Sequence, residues 1–510
     1  MDEASVRDIP NVRIVHNRGF VAVAAPREWD AVRAANALKV TWTQVTPPFP
    51  DQAALHDHIR NAPVRTRNAP LEQGDVAAAV SSAARVHTAE YEWPFHSHSS
   101  MAPGVALADV RADGATVYTG TQKPHAVRDG VARLLGLPAD KVHAVWMQGP
   151  GSYGRNDAGD AAFDAAVLSK ELGRPVRVQY SRAEGHGWDV KGPASVHRLR
   201  AALDAEGRVT GVEHVVRAFS RTGVSTSESD PRDSLARMLQ GDMQAAADTW
   251  LFPGDYVALS PYSFGAKRME WGIVAPLLDR ASPLRTGHLR DPSGPETIFA
   301  AESFVDELAR LTNTDAVEFR LRHLTDPRDL AVLRAAAEKA GWEARPSGPR
   351  SASGDVVTGR GVSLSRRDGS HVATVAEVEV DRRTGAIRAR RLVCAHDCGR
   401  IINPAGLRRT IENGLTYGLS RATKEEVTFS REMVTSLDWQ TYPILDITET
   451  PDAVEVVLIN RPELPSTGAG EPMVRSVGAA VANAIFDASG ARIRKAPFTP
   501  ERVKAALAGA

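Results

Sequence analysis

Between residues 141 and 180 the chain runs as an apolar strand (141–147), a glycine-rich turn (148–156), a helix (160–172) with Phe163, Val167 and Leu168 on its apolar side, and a further strand (175–180). That alternation of periods commits the chain to a layered fold in which helices cover a sheet. Just upstream, strands at 102–110 and 115–118 lead into a helix at 125–135. There Val127, Val131, Leu134 and Leu135 share one face and Gly136 supplies the stop. A helical period returns at 298–311, with a shorter helix at 316–324. Around 204–207 and 381–385 an Asp-led turn ending in Gly joins two alternating strands, so each is read as a hairpin and two related halves are expected.

The flanks divide the chain. Residues 1–45 read as strand, strand, helix (28–37) and a last strand at 38–42. Residues 46–86, broken by Pro47, Pro48, Pro50, Pro63 and Pro70, read as an extended linker, and 343–355 reads as a second boundary. The domains expected are therefore 1–45, 87–342 and 356–510, in an α+β architecture. No structure is expected over the irregular stretch 220–278.

At 510 residues the chain has room for several cores. Its 62 basic and 62 acidic residues cancel, which removes the field that draws in nucleic acid. Cys394 and Cys398 are its only cysteines, too few for a disulfide scaffold or a four-cysteine metal site. Any iron–sulfur cluster must then sit on a partner. There is no run of 18 apolar residues and no basic-then-apolar leader in the sequence given, so no transmembrane segment is expected and the chain as given reads as cytoplasmic.

Two segments carry chemistry. Gly149, Gly151 and Gly154 form a G-x-G-x-x-G run between a strand and a helix, a setting in which backbone N–H groups cradle a phosphate. No ribose-reading acid follows at the right distance, since Glu184 comes too late. Glu471 lies between Gly470 and Pro472 ahead of a helix with Val474, Val477, Val481 and Ile485 on one face. Pro472 is expected at its first position, which puts Glu471 at the cap. Gly468 and Gly470 let a ligand approach the backbone. A general base and a plain helix cap both fit Glu471. Cys394, His396 and Cys398, and likewise His96 and His98, read as buried structural residues. No serine elbow or H-E-x-x-H pair is present.

The segments TGTQKPHAVRDGVARLLGLPADKV (119–142), GPGSYGRNDAGDAA (149–162), GRPVRVQYSRAEGHGWD (173–189), SPLRTGHLRDPSGPETIFAAESFVDELA (282–309), DCGRIINP (397–404) and LPSTGAGEP (464–472) occur in one order. In that order they resemble the molybdopterin-binding large subunit of the xanthine dehydrogenase and aldehyde oxidase family, of the isoquinoline 1-oxidoreductase beta and nicotinate dehydrogenase type. The resemblance implies a two-lobed molybdopterin-binding fold, with residues 1–45 the last part of an N-terminal α/β hammerhead-like domain. It implies a molybdenum–pyranopterin cofactor, often in the cytosine dinucleotide form, whose metal takes no protein ligand. It also implies oxidative hydroxylation of an aldehyde or an N-heteroaromatic C–H with water as the oxygen source. By motif position, Glu471 is the base, Gln122, Tyr153 and Gly154 line the cofactor, and Arg285 faces the cofactor or the substrate. Implied partners are a small [2Fe–2S] subunit and a cytochrome c or flavin subunit as electron acceptor. Periplasmic location follows if an N-terminal export signal lies outside this sequence. Thr410 stands where the family often has Gln. Two rival readings are a truncated or degenerate non-catalytic subunit of the same fold and an NAD-dependent dehydrogenase built on the glycine run.

Overall fold

A computed structural model describes residues 1–149, 151–242, 258–278, 281–349 and 354–509. Pro150 and the central part of the 220–278 stretch lie outside the described residues. The chain opens with β1 (Arg13–Asn17) and β2 (Phe20–Ala24), an antiparallel pair, followed by α1 (Glu28–Ala37). The strand expected at 38–42 does not form. Leu38 is the extended cap of α1 and only Lys39 makes a bridge, to Asp2.

The stretch read as a linker holds α2 (Leu55–Asn61), β3 (Val64–Gln73) and α3 (Val76–Ser81). Its prolines are accommodated rather than disruptive. Pro63 separates α2 from β3, and Pro70 sits at the register shift of β3, an edge strand, where a missing N–H costs no ladder bond. Then follow β4 (Arg85–Trp93), β5 (Val105–Arg111), β6 (Gly114–Thr119), α4 (Pro124–Leu135), β7 (Val142–Trp146), α5 (Ala158–Leu172), β8 (Val176–Gln179) and α6 (Arg182–Trp188). Strands order as β7-β6-β5-β8 under α4 and α5. Gly136 ends α4 in the left-handed region at φ +72, its N–H bonding back to Ala132 and Arg133.

β9 (Ser195–Leu203) and β10 (Val209–Ala218) form the first expected hairpin. They are followed by α7 (Leu235–Leu239), β11 (Ala266–Val274), α8 (Gly294–Leu311), α9 (Ala316–His323) and α10 (Pro327–Ala340). β11, in the stretch expected to be irregular, is an inner strand of the sheet β3-β11-β10-β9-β4 and lies parallel to β10. β12 (Val356–Arg367), β13 (Ser370–Asp381), β14 (Ile387–Asp397), α11 (Pro404–Thr423), β15 (Ala453–Ile459), α12 (Val474–Ser489) and α13 (Pro500–Ala508) complete the chain.

Two halves emerge in the topology. β4, β9, β10 and β11 are adjacent in that order, antiparallel, antiparallel, parallel. The sheet β12-β13-β14-β15 repeats both order and sense. Each set leads into a long helix, α8 or α12, and the two helices pack together in one core with Trp93, Phe299, Phe304, Val477 and Val481. α12 lies directly on β12 because Gly359 and Gly361 face it. A Cβ at Gly361 would fall 2.2 Å from the Ala480 carbonyl oxygen.

Candidate active site

The repeated topology brings two turns together: the one leading into α8, at 288–293, and the one leading into α12, at 468–473. The α12 turn differs from expectation. α12 begins at Val474, so Pro472 is not its first residue and Glu471 lies in the preceding turn, where its carbonyl accepts the Val474 N–H at 2.9 Å. Its side chain is 29% exposed. Oε1 accepts the Asp291 N–H at 2.8 Å, and Oε2 meets Arg367 Nη2 at 2.5 Å. Arg290 donates from Nε to the Gly470 carbonyl at 2.9 Å and from Nη1 to Asn413 Oδ1 at 3.2 Å. A Cβ at Gly468 or Gly470 would meet nothing within 4 Å, so this rim is open.

The glycine loop forms the facing wall. Gly151, Tyr153 and Gly154 have φ of +98, +59 and +130. Gly149 packs against Gly120, where a Cβ would approach the Gly120 oxygen to 2.7 Å, and this ties the loop to the turn holding Gln122. Gln122 is exposed. On its other side the loop pairs with 288–290 as a short ladder, Arg155 N–H to the His288 carbonyl at 2.8 Å and Arg290 N–H to the Tyr153 carbonyl at 2.5 Å. A Cβ at Gly154 would sit 2.1 Å from the His288 oxygen, which is why that position is glycine. The Tyr153 ring stacks on Tyr417 of α11, centroids 5.6 Å apart, and Arg290 and Arg421 each lie 5.5 Å from the Tyr417 ring centroid. The first turn of α5 carries buried Asp157 and Asp160, carboxylates that disfavour an anion at that helix end.

Arg285 stands apart. Its side chain is 6% exposed, and Nη2 donates to Asp160 Oδ2 at 2.7 Å and to the Trp188 carbonyl at 2.9 Å. It therefore braces the helix that follows the glycine loop, with its guanidinium turned to Asp160 and the Trp188 carbonyl among the described residues. Arg290, five residues on, is the arginine of this segment that reaches the α12 turn, through the Gly470 carbonyl. Of the residues expected at the site, Gln122, Gly149, Gly151, Tyr153, Gly154, Gly468, Gly470 and Glu471 belong to the turns that meet here. Arg290, Asp291, Arg367 and Tyr417 were missed, although Arg290 and Asp291 lie within the same 282–309 segment as Arg285.

The other cysteines and histidines singled out in the sequence, Cys394, His396, Cys398, His96 and His98, are all buried. Burial pushes the Cys394 thiol up to about 12, which disfavours its thiolate, and His396 down to about 4. His98 places Nδ1 2.8 Å from the Val190 carbonyl and Nε2 3.0 Å from the His288 carbonyl, and in the neutral form that burial favours its single ring N–H donates to one of the two. His288 is held down to about 3 by burial, reinforced by the charges of Arg221, Lys123 and Arg367. Its Nε2 and the Tyr417 hydroxyl are buried with no hydrogen-bond partner among the described residues. The nicotinamide alternative lacks its frame, since β7, the strand feeding the glycine loop, is the edge of a mixed sheet and not a central strand of a parallel one.

Comparison with known proteins bears on the family and the fold. Two models described as molybdopterin cofactor-binding domains match residues 57–240 and 300–451. The chain is 38% identical to a nicotinate dehydrogenase polypeptide of Pseudomonas putida, across 100% of this chain and 42% of that protein. It is 27% identical to the isoquinoline 1-oxidoreductase beta polypeptide of Brevundimonas diminuta, across 98% of this chain and 62% of that one. The chain thus spans only part of the length of these relatives. The crystal structure of quinoline 2-oxidoreductase from Pseudomonas putida 86 shares the fold, with a TM-score of 0.78 at 16% identity, covering 99% of this chain and 92% of that one. The chain belongs to the molybdopterin-binding large-subunit family of the xanthine dehydrogenase and aldehyde oxidase enzymes.

Proposed function

We propose that this chain is the cofactor-bearing, catalytic part of a molybdenum hydroxylase that oxidatively hydroxylates an aldehyde or an N-heteroaromatic C–H carbon. The observation that carries the reading is Glu471. It is a partly exposed carboxylate that directly follows the two open glycines 468 and 470, in a turn tied through Arg290 to a glycine loop whose Gly151, Tyr153 and Gly154 all have positive φ. The residues present fit a pyranopterin. The orphaned Tyr417 hydroxyl and His288 Nε2 match a flat group that brings its own acceptors and donors, and a Cβ at Gly468 or Gly470 would leave its approach open. Gln122, Gly149, Gly151, Tyr153 and Gly154 would hold it, in the cytosine dinucleotide form. When bound, the group supplies a two-electron acceptor and activates water.

The chain's own part is acid–base and positional. Glu471 accepts a proton at a carboxylate oxygen while the turns leading into α8 and α12 keep that carboxylate fixed against the cofactor wall. Arg290 holds the Gly470 carbonyl and so fixes the main chain next to the base. Electrons would leave through a small [2Fe–2S] subunit to a cytochrome c or flavin subunit, consistent with a chain that has two buried cysteines and no cluster ligands of its own. No helix among the described residues is long and apolar enough to cross a membrane.

The test is molybdenum content per chain after co-expression with an iron–sulfur subunit, followed by turnover of the Glu471→Gln variant on aldehydes and N-heterocycles. About one metal atom per chain, with turnover in the variant lower by about 100-fold or more, is expected for loss of a general base. A chain that takes no molybdenum, in a host that loads a related enzyme, refutes the reading in favour of a non-catalytic subunit.

A further inference from the structure

Both oxygens of the Glu471 carboxylate are engaged, and neither partner is a group that reacts. Oε1 takes the Asp291 N–H and Oε2 takes Arg367. Arg367, whose side chain is 12% exposed, directs its three nitrogens at three different carboxylates: Nε to Asp368 at 3.0 Å, Nη1 to Asp291 at 2.8 Å and Nη2 to Glu471. Asp291 is fully buried and sits at φ +61, an uncommon conformation for a residue with a side chain. Its carboxylate is gripped from the far side by Arg475 of α12, Nε to Oδ1 and Oδ2 at 3.1 and 3.0 Å. Arg475 Nη1 in turn donates to the Arg366 carbonyl at 2.7 Å, anchoring the set to the end of β12. The turn is shaped around Asp291, because a Cβ at Gly294 would lie 2.2 Å from its carboxylate. Burial works to raise the Asp291 carboxyl, and Arg475 and Arg367 outweigh it and hold it below the usual aspartate range.

We propose that Arg475, Asp291 and Arg367 form a relay that positions the Glu471 carboxylate, with Asp291 and Arg367 fixing one oxygen each. An ionised carboxylate offers about four acceptor sites. Two are used by the relay, and with the side chain 29% exposed the others remain open to a proton donor. Strain at a buried turn residue that contacts the base is the kind held at working sites. The inference rests on Glu471 being the base, and the relay residues are positioning residues that act through it.

Four variants separate the possibilities: Glu471→Gln, Arg367→Ala, Arg367→Lys and the double Arg367→Ala/Glu471→Gln. In the holoenzyme, Arg367→Ala is expected to lower kcat about 100-fold, the cost of a misplaced catalytic group, with KM within about threefold. Lysine keeps the charge but is a point donor and cannot span three carboxylates, so Arg367→Lys stays at least about tenfold down. The double variant is no slower than Glu471→Gln alone, because the relay acts only through that side chain. A readout independent of activity is amide exchange at Asp291 in the chain without cofactor. It is expected to rise about tenfold in Arg367→Ala and in Arg367→Lys, as the N–H loses a fixed acceptor. If both Arg367 variants keep wild-type kcat and wild-type exchange while Glu471→Gln is inactive, the relay is wrong and the base assignment stands. If Glu471→Gln keeps full turnover, the base assignment falls, and exchange at Asp291 still decides whether Arg367 orients that carboxylate. An Arg367→Ala chain that does not fold leaves the decision to Arg367→Lys, read by the same two measurements.

Discussion

Replacing Arg285 by methionine separates the two roles open to that residue. As a residue facing the cofactor, its loss would reduce cofactor retention and leave the fold alone. The structure gives it another role, since Asp160 is 1% exposed and is held by Arg285 at 2.7 Å, by Arg155 at 3.2 Å and by the Leu235 N–H at 2.9 Å. Breaking a buried ion pair by removing one partner costs about 3–5 kcal/mol, because the other charge is left uncompensated. In Arg285→Met, Asp160 keeps Arg155 and the Leu235 N–H, so the cost belongs at the lower end, about 3 kcal/mol. Asp160→Asn is the harsher change. Among the described residues it leaves Arg285 with no charged partner, only the Trp188 carbonyl and Met238 Sδ, and Arg155 with Glu228 at 3.3 Å, which places it at about 5 kcal/mol. For a cooperative unit of 150–250 residues, about 2–4 °C is lost per kcal/mol, so Arg285→Met should melt roughly 6–12 °C lower and Asp160→Asn lower still. The double variant should recover much of the summed loss, since the two residues share one interaction. Thermal unfolding of the cofactor-free chain by circular dichroism at one scan rate reads all three. An unchanged melting temperature in Arg285→Met, with cofactor retention lost, would refute the assignment of Arg285 as a buried brace.

Other outcomes follow from the same geometry. Burial raises the Asp164 carboxyl to about 7 despite the Tyr180 hydroxyl donating to it at 2.8 Å. The folded chain then holds a proton that the unfolded chain releases near pH 4, so stability is greatest below about pH 4 for this group and declines as pH rises to about 7. Asp164→Asn should flatten that decline, and urea midpoints across the interval that keep the wild-type slope would contradict it. Gly361→Ala drives a Cβ to 2.2 Å from the Ala480 oxygen and 2.3 Å from the Ala484 nitrogen. Overpacking of this kind costs about 1–3 kcal/mol, read as a lower urea midpoint; a midpoint equal to wild type would show that α12 can back away freely. Gly154→Ala combines φ +130 with a contact at 2.1 Å to the His288 oxygen, so the ladder between the glycine loop and 288–290 should open, with faster amide exchange at Arg155 and Arg290. Exchange at wild-type rates would show that the loop accepts a side chain.

What the sequence revealed and what it hid divide along physical lines. The glycine loop and the turn before α12 were legible because their chemistry is local: a spaced run of glycines between a strand and a helix, and a carboxylate between a glycine and a proline. β3 was hidden by Pro63 and Pro70, which read as breaks, although one lies between elements and the other at a bulge on an edge strand. β11 was hidden for the opposite reason. From Met269 to Val274 it is buried without interruption, so the alternation that marks a half-exposed strand is erased. The choice between Arg285 and Arg290 could not be made locally, since both sit in one loop segment and only Asp160, on a helix more than a hundred residues earlier, turns the first inward. Glu471 itself was singled out from the sequence, but what holds its carboxylate was not, because Arg367 lies at the far end of β12, more than a hundred residues earlier in the chain. That partnership arises from the pairing of the two halves. Sheets of equal order and sense each deliver a turn to the start of a long helix, and α8 packing on α12 brings the two turns within hydrogen-bonding distance. The buried faces of α8 and α12 were visible as periodicity, whereas the contact between Asp291 and Glu471 exists only once those faces have met.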